Sequence, residues 1–233
     1  GNLADITQTA LQTINLGSGT LTLKADRNVV LESVNAGGMS VANATSIAGS
    51  GCNTSFGPCG VTSFTANQTL TDTANGNGTW SVTSRGAITT GALDVAGVSF
   101  TTTGTGNVTT GAIGTAAKPA SNVSIATTGS SGGNIQTGII EADTLSLSAR
   151  GNVVVGSGTT VADPAINANN TDAASVSLSS QTGSVTVNGA INASNVTFWA
   201  PTAITTGNIN AAAPVPVSIT FTSTSGADIT TGS

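Results

Sequence analysis

The sequence predicts an all-β protein, a parallel β-helix (three-sided β-solenoid) whose coils each carry three short strands. Three observations predict it. The first is an apolar, Ser/Thr, apolar triplet that recurs nine times: Leu21-Thr22-Leu23, Met39-Ser40-Val41, Trp80-Ser81-Val82, Val98-Ser99-Phe100, Val123-Ser124-Ile125, Leu145-Ser146-Leu147, Val176-Ser177-Leu178, Val196-Thr197-Phe198 and Val217-Ser218-Ile219. The second is a set of apolar heads with a glycine close by, at Ile6, Val29, Ile47, Ile88, Val108, Ile135, Val153, Val185, Ile204 and Ile229. The third is that every apolar cluster alternates with polar residues, a period of two that fits strands and not helices.

Spacing between heads sets the size of a coil. Successive heads are 23, 18, 41, 20, 27, 18, 32, 19 and 25 residues apart. The floor of 18 to 20 is the perimeter of one coil, and larger values are that perimeter plus loops. The gap of 41 is expected to hide one more coil around Val61 to Leu70, giving ten to eleven coils in all. Stacked at about 4.8 Å each, they make a rod on the order of 50 Å long.

Within a coil each element has a stated job. The head begins one strand, and an apolar residue five positions later (Val34, Leu93, Ile113, Ile140, Ile209) marks a second. The triplet is the third, with its outer residues inward and its Ser or Thr outward as a hydroxyl ladder. A small Ala after the second cluster (Ala36, Ala142, Ala193, Ala211) is expected where the cross-section narrows. Gly91, Gly111, Gly138 and Gly207 are expected at corners with positive φ. Residues 1–233 form a single solenoid, with an irregular coil at 48–79 and a loop insertion at 157–175. The chain is expected to be a piece of a longer one, since it starts directly in repeat-like sequence and stops on another head.

Composition agrees with this reading. Of 233 residues, 38% are apolar and 6% charged, which is too apolar and too weakly charged for ordinary disorder. Helix surfaces need Glu, Lys and Arg, whereas the abundant Thr, Val, Asn and Gly favour strands and turns. Five Lys and Arg against a net charge of −5 are too few to hold a phosphate backbone, so no nucleic acid is expected. No run of 18 apolar residues is present, so no membrane-spanning helix is expected.

The stretch Leu145-Ser146-Leu147-Ser148-Ala149-Arg150-Gly151-Asn152-Val153-Val154-Val155, with the recurring Gly-x-Ile-x-Thr-Gly-x-Ile-x-Ala rung, resembles the repeats of filamentous haemagglutinin-like exoproteins, which are bacterial two-partner-secretion adhesins. The resemblance covers nearly the whole chain, and it is a resemblance of a repeat. It implies a right-handed helix, a secreted or cell-surface location and an outer-membrane secretion partner. No Asn-Pro-Asn-Gly-type motif of the family's secretion domain is present, so a stalk or repeat region is the part implied.

Few residues are left over by the repeat. Cys52 and Cys59 close an eight-residue loop around Gly57-Pro58, a short disulfide that implies an oxidising compartment; Phe56 stands at its tip. With no His and no third Cys, the sequence offers no metal set and no cofactor is expected. Trp199 follows the inward Phe198 and so should face outward, where an insertion such as Pro164 to Ala174 is expected to fold over it; the alternative is an interaction surface on which the indole stacks. Arg27, Arg85 and Arg150 precede heads and are read as solvated corner residues, pairing with neighbouring carboxylates. Sequons at Asn43, Asn107, Asn122 and Asn195 are expected by chance in so Asn- and Thr-rich a chain. The hydroxyl files, including Thr89, Thr109, Thr186, Thr205 and Thr230, are water-tolerant strand faces, with ice binding as the sharper alternative.

Carboxylates test for an enzyme. Asp94 and Glu141 fall at equivalent outward positions two coils apart, about 10 Å, slightly too far for a glycosidase pair. Asp143 lies nearby. No catalytic residue is assigned and no enzyme is expected. The expected function is a structural or adhesive rod, mediating cell or biofilm-matrix attachment. Head-to-tail self-association and surface glycans or matrix polysaccharide are its expected partners. The alternative is a β-helix that binds or degrades polysaccharide.

Overall fold

The computed structural model of the chain describes residues 5–10, 12–25, 27–43, 63–66, 70–71, 78–156, 164–168, 175–210, 218–224 and 226–232. Twenty-five strands follow one another with no helix among these residues. Three parallel sheets wrap one core, and each turn of the chain adds a strand to each, so the fold is a parallel β-helix.

Heads form the first sheet, of ten strands, in which Ile6, Val29, Phe64, Ile88, Val108, Ile135, Val153, Val185, Ile204 and Ile229 stack in register. Apolar residues of the second cluster form another column: Ile14, Val34, Leu70, Leu93, Ile113, Ile140, Ile166, Ile191 and Ile209. Triplets form the third sheet, stacking Leu21, Met39, Trp80, Val98, Val123, Leu145, Val176, Val196 and Ile219. The strands Thr13–Ala25 and Ser33–Asn43 are long because each serves both the second column and the triplet sheet.

Burial follows the period of two. In Leu145, Leu147 and Ala149 the side chains are at most 1% exposed, while Thr144 before them and Ser146 between them are exposed. Trp80, Phe64, Phe100 and Phe198 fill the widest places in one continuous core. Alanine supplies the narrow corner, where Ala36, Ala142 and Ala193 are buried as expected and Ala120 bridges Ala142. Ala211 lies outside the described residues.

Four expectations change in detail. Val29 pairs directly with Phe64, so the next head strand after Val29 in the sheet is that of Phe64, and Ile47, the head expected there, lies outside the described residues. The interval from Val29 to Phe64 is one coil with a long insertion, and Phe64 and Leu70 are the head and second-column residue of the coil expected near Val61 to Leu70. The last triplet is Ile219-Thr220-Phe221, two residues later than the expected Val217-Ser218-Ile219, because Phe221 stacks on Phe198. Their rings lie 5.4 Å apart, and a shift of two preserves which side chains face inward.

Glycine at the corner has a different cause from the one expected. None of Gly91, Gly111, Gly138 and Gly207 has positive φ. A Cβ on Gly111 would stand 2.8 Å from the Ala92 nitrogen, and one on Gly138 would stand 2.8 Å from the Ala112 nitrogen. Close backbone stacking between coils, not handedness of the corner, excludes a side chain. Finally, Pro164–Asn167 inside the expected 157–175 insertion is itself a strand, paired to Ile140–Glu141 and Ala190–Asn192. Proline is tolerated there as the first residue of its strand.

Candidate functional site

Four corners before heads are tied to the next coil by one kind of bond. Asn107 Oδ1 accepts the Asn134 N–H at 2.8 Å, Asn134 Oδ1 accepts the Asn152 N–H at 2.7 Å, and Asn152 Oδ1 accepts the Ser184 N–H at 2.8 Å. Asp5 plays the same part for the Asn28 N–H at 3.0 Å. Glycine precedes Asn152 and Ser184 because a Cβ on Gly151 would lie 2.3 Å from Asn134 Oδ1 and one on Gly183 2.1 Å from Asn152 Oδ1. This ladder went unread in the sequence, although the repeated Gly-Asn-apolar at Gly106, Gly133 and Gly151 is its signal. Its role is structural.

Among the described residues several inward hydroxyls are bound as well, although Thr90 Oγ1 is buried without a hydrogen-bond partner. Thr127 Oγ1 donates to the Gly133 carbonyl at 2.8 Å, Ser180 Oγ to Gly151, and Thr102 Oγ1 to Gly106. Thr110, Thr137 and Thr206 donate to the carbonyl of the following glycine. Buried polar groups need such partners, and the turns supply them.

The triplet sheet presents the opposite case outside. Its central outward file is Thr22, Ser40, Ser81, Ser99, Ser124, Ser146, Ser177, Thr197 and Thr220, in register and unbroken through nine coils. None of the nine makes a side-chain hydrogen bond among the described residues. A parallel file two residues on runs Thr83, Thr101, Ala126, Ser148, Ser179, Trp199 and Thr222. Lys24, at the start of that line, carries the one charge on these outward positions. The outward file of the head sheet is less regular: Val30, Gln136 and Val154 break its threonines.

Trp199 therefore stands on the outward side as expected, half-buried, between Ser179 and Thr222 in register. Pro164–Asn167, the part of the expected cover that forms a strand, lies in a different sheet column, and 169–174, the rest of it, lies outside the described residues. Cys52, Cys59 and Phe56 lie outside the described residues.

Charged groups are scattered along corners and the second column. Arg27 forms an ion pair with Asp5 of the preceding coil at 2.5 Å, and Arg150 donates to Gln181 Oε1 of the next coil at 2.6 Å. The Asn28 N–H and then the Arg27 guanidinium hold the Asp5 carboxyl below the usual range. Asp94 and Glu141 do occupy equivalent positions two coils apart, with Gly114 between them. At Gly114 the chain leaves the column for a short loop, whose Thr115 and Lys118 exchange backbone hydrogen bonds. Lys118 Nζ then stands 3.7 Å from Asp94 Oδ1. Glu141 faces Asn167 instead, and burial raises its pKa against the lowering effect of that hydrogen bond. The two carboxylates thus answer to different partners. Among the described residues no three acidic or thiol side chains converge as a metal site, and no helix is long and apolar enough to cross a membrane.

No protein-family model matches the chain, and no curated protein or solved structure matches it either.

Proposed function

We propose that the chain is a structural, adhesive segment of a secreted bacterial surface protein, working as a rigid stalk or extracellular filament in attachment between cells, surfaces or biofilm matrix. The observation that carries this reading is the unbroken stacking of three columns over one core. Ten head strands at about 4.8 Å per step span about 43 Å, and every step is bridged by backbone hydrogen bonds and, at several corners, by the asparagine ladder. Such a body resists bending because no coil can tilt without breaking several bonds at once.

Secretion through an outer-membrane partner and a disulfide between Cys52 and Cys59 belong to the same proposal, supported by the repeat resemblance and the loop sequence. End-to-end association of such rods also belongs to it, supported by the same coil-on-coil strand pairing that builds the three sheets. Catalysis has no such support, since Asp94 and Glu141 are held apart.

Electron microscopy and surface immunolabelling of producing cells test the reading. Rods or filaments outside the cell, and loss of attachment when the segment is deleted, are the expected results. A protein confined to the cytoplasm, or attachment that is indifferent to the deletion, would sink it.

A further inference from the structure

We propose that the outward face of the triplet sheet is a docking surface for a neutral polysaccharide, anchored by Trp199. The inference rests on the reading of the chain as an extracellular rod and names what one side of that rod holds.

Four observations converge on this face. It is flat and long, because six-residue strands from Thr79–Ser84 to Ser218–Ser223 stack in register without a bulge. Its strand positions are uncharged apart from Lys24, with Arg85 and Arg150 following directly on two of the strands at one border, on a molecule whose net charge is −5. Its central hydroxyls have no partners within the described residues, whereas hydroxyls at the corners, such as Thr127, Ser180 and Thr182, are bound to backbone carbonyls. And one large aromatic residue, Trp199, interrupts a file that beyond Lys24 is made of Thr, Ser and Ala.

Each observation selects the partner. An anionic polymer would gain little from a face whose strands carry one cation, Lys24 in an outermost described coil, on a net-negative body. A neutral sugar chain is itself a row of hydroxyls, each able to donate and accept, as are Ser and Thr. An indole offers its flat apolar surface to the apolar side of a sugar ring. A second copy of the rod fits less well, because sheets packed face to face interdigitate at about 10 Å and a lone indole opposite short Ser side chains holds them apart. Individually weak hydroxyl contacts gain strength by repetition at about 4.8 Å along the rod, since once one coil is engaged its neighbours are already in place.

The probes are cellulose and chitin particles, with alginate beads as the anionic comparison, in a sedimentation assay on the whole chain. Retention on at least one neutral polysaccharide, unchanged in 1 M salt, is expected, because exposed charge contacts would be screened at that ionic strength with a Debye length of about 3 Å. Trp199→Ala is expected to weaken retention roughly tenfold, about what loss of one aromatic contact does. Ser146→Asp and Ser177→Asp, each placing a charge on the ladder, are expected to weaken it while thermal melts show the solenoid intact. Absence of retention on both neutral probes, retention on alginate alone, or retention that these three variants leave at the wild-type level would overturn the docking surface. Face-to-face dimers in light scattering, or thermal hysteresis in ice, would overturn it in favour of another occupant. Extracellular rods that ignore polysaccharide remove this inference alone, whereas an intracellular protein removes the rod reading beneath it.

Discussion

Asn107, Asn134 and Asn152 do at single-residue scale what the backbone does along a strand: they pass a hydrogen bond from one coil to the next. Asn152 is the most informative of them, because its Oδ1 accepts both the N–H and the hydroxyl of Ser184, at 2.8 and 3.2 Å. Asn152→Ala leaves that backbone donor without its partner and is expected to cost about 1 kcal/mol, read as a lower thermal midpoint. Asn152→Asp keeps the acceptor and should lose much less; equal losses in the two would argue against the ladder. Glu141 gives a pH signature. Its pKa in the fold is raised by burial above the ordinary value of 4.5, so the folded protein holds this proton more tightly than the unfolded chain does. Stability from this group is present at low pH and declines as pH rises above 4.5 through the folded value. Glu141→Gln should flatten that decline and match or exceed the wild type at neutral pH, measured by denaturant unfolding across the window.

Parity decides the fate of whole strands. In Thr144–Ala149 the inward Leu145 and Leu147 belong to the core, and the outward Ser146 does not. Leu147→Ala is expected to cost about 2 to 5 kcal/mol, whereas Ser146→Ala should be close to neutral, by denaturant titration. Inserting one residue between Ser146 and Leu147 should be worse than either, because it turns half of the strand inside out. The same insertion, or several Gly and Ser residues, between Ala116 and Ala117 should be tolerated, since that loop leaves the column at Gly114 and returns at Ala120. Soluble expression and melting temperature separate the two outcomes. The shifted last triplet fits the same logic: Val217, Ile219 and Phe221 share a parity, so the alternation alone permits either register, and the aromatic pair of Phe198 and Phe221 selects one.

At the scale of the molecule, stability is a sum over neighbouring coils. Central columns are sealed, with Val123, Ile135, Val153 and Val176 fully buried, while Ile6, Ile14, Leu21, Leu23, Ile209 and Phe221 in the outermost described coils are only partly so. Hydrogen exchange should therefore be slowest in strands between Gly97 and Ala200 and should quicken toward both outer coils; uniform protection would contradict additive stacking. The sequence by itself determined the solenoid, because a period of two inside short clusters, repeated at one perimeter, admits few other ways to bury alternate residues. It also placed Asp94 and Glu141 at equivalent positions and Trp199 on the outside, since both follow from counting along a strand. Tertiary structure decided what counting cannot reach. Whether 35 residues from Val29 to Phe64 make one coil or two depends on which strand lies beside which, and so does the register of the last triplet. Why Gly111 and Gly138 lack side chains is likewise a matter between coils, where a neighbouring backbone occupies the space a Cβ would need. Which hydroxyls are bound to turns and which face outward unbound is settled the same way, because a hydrogen bond between coils joins residues that are about twenty or more apart in the chain and adjacent only once it has folded.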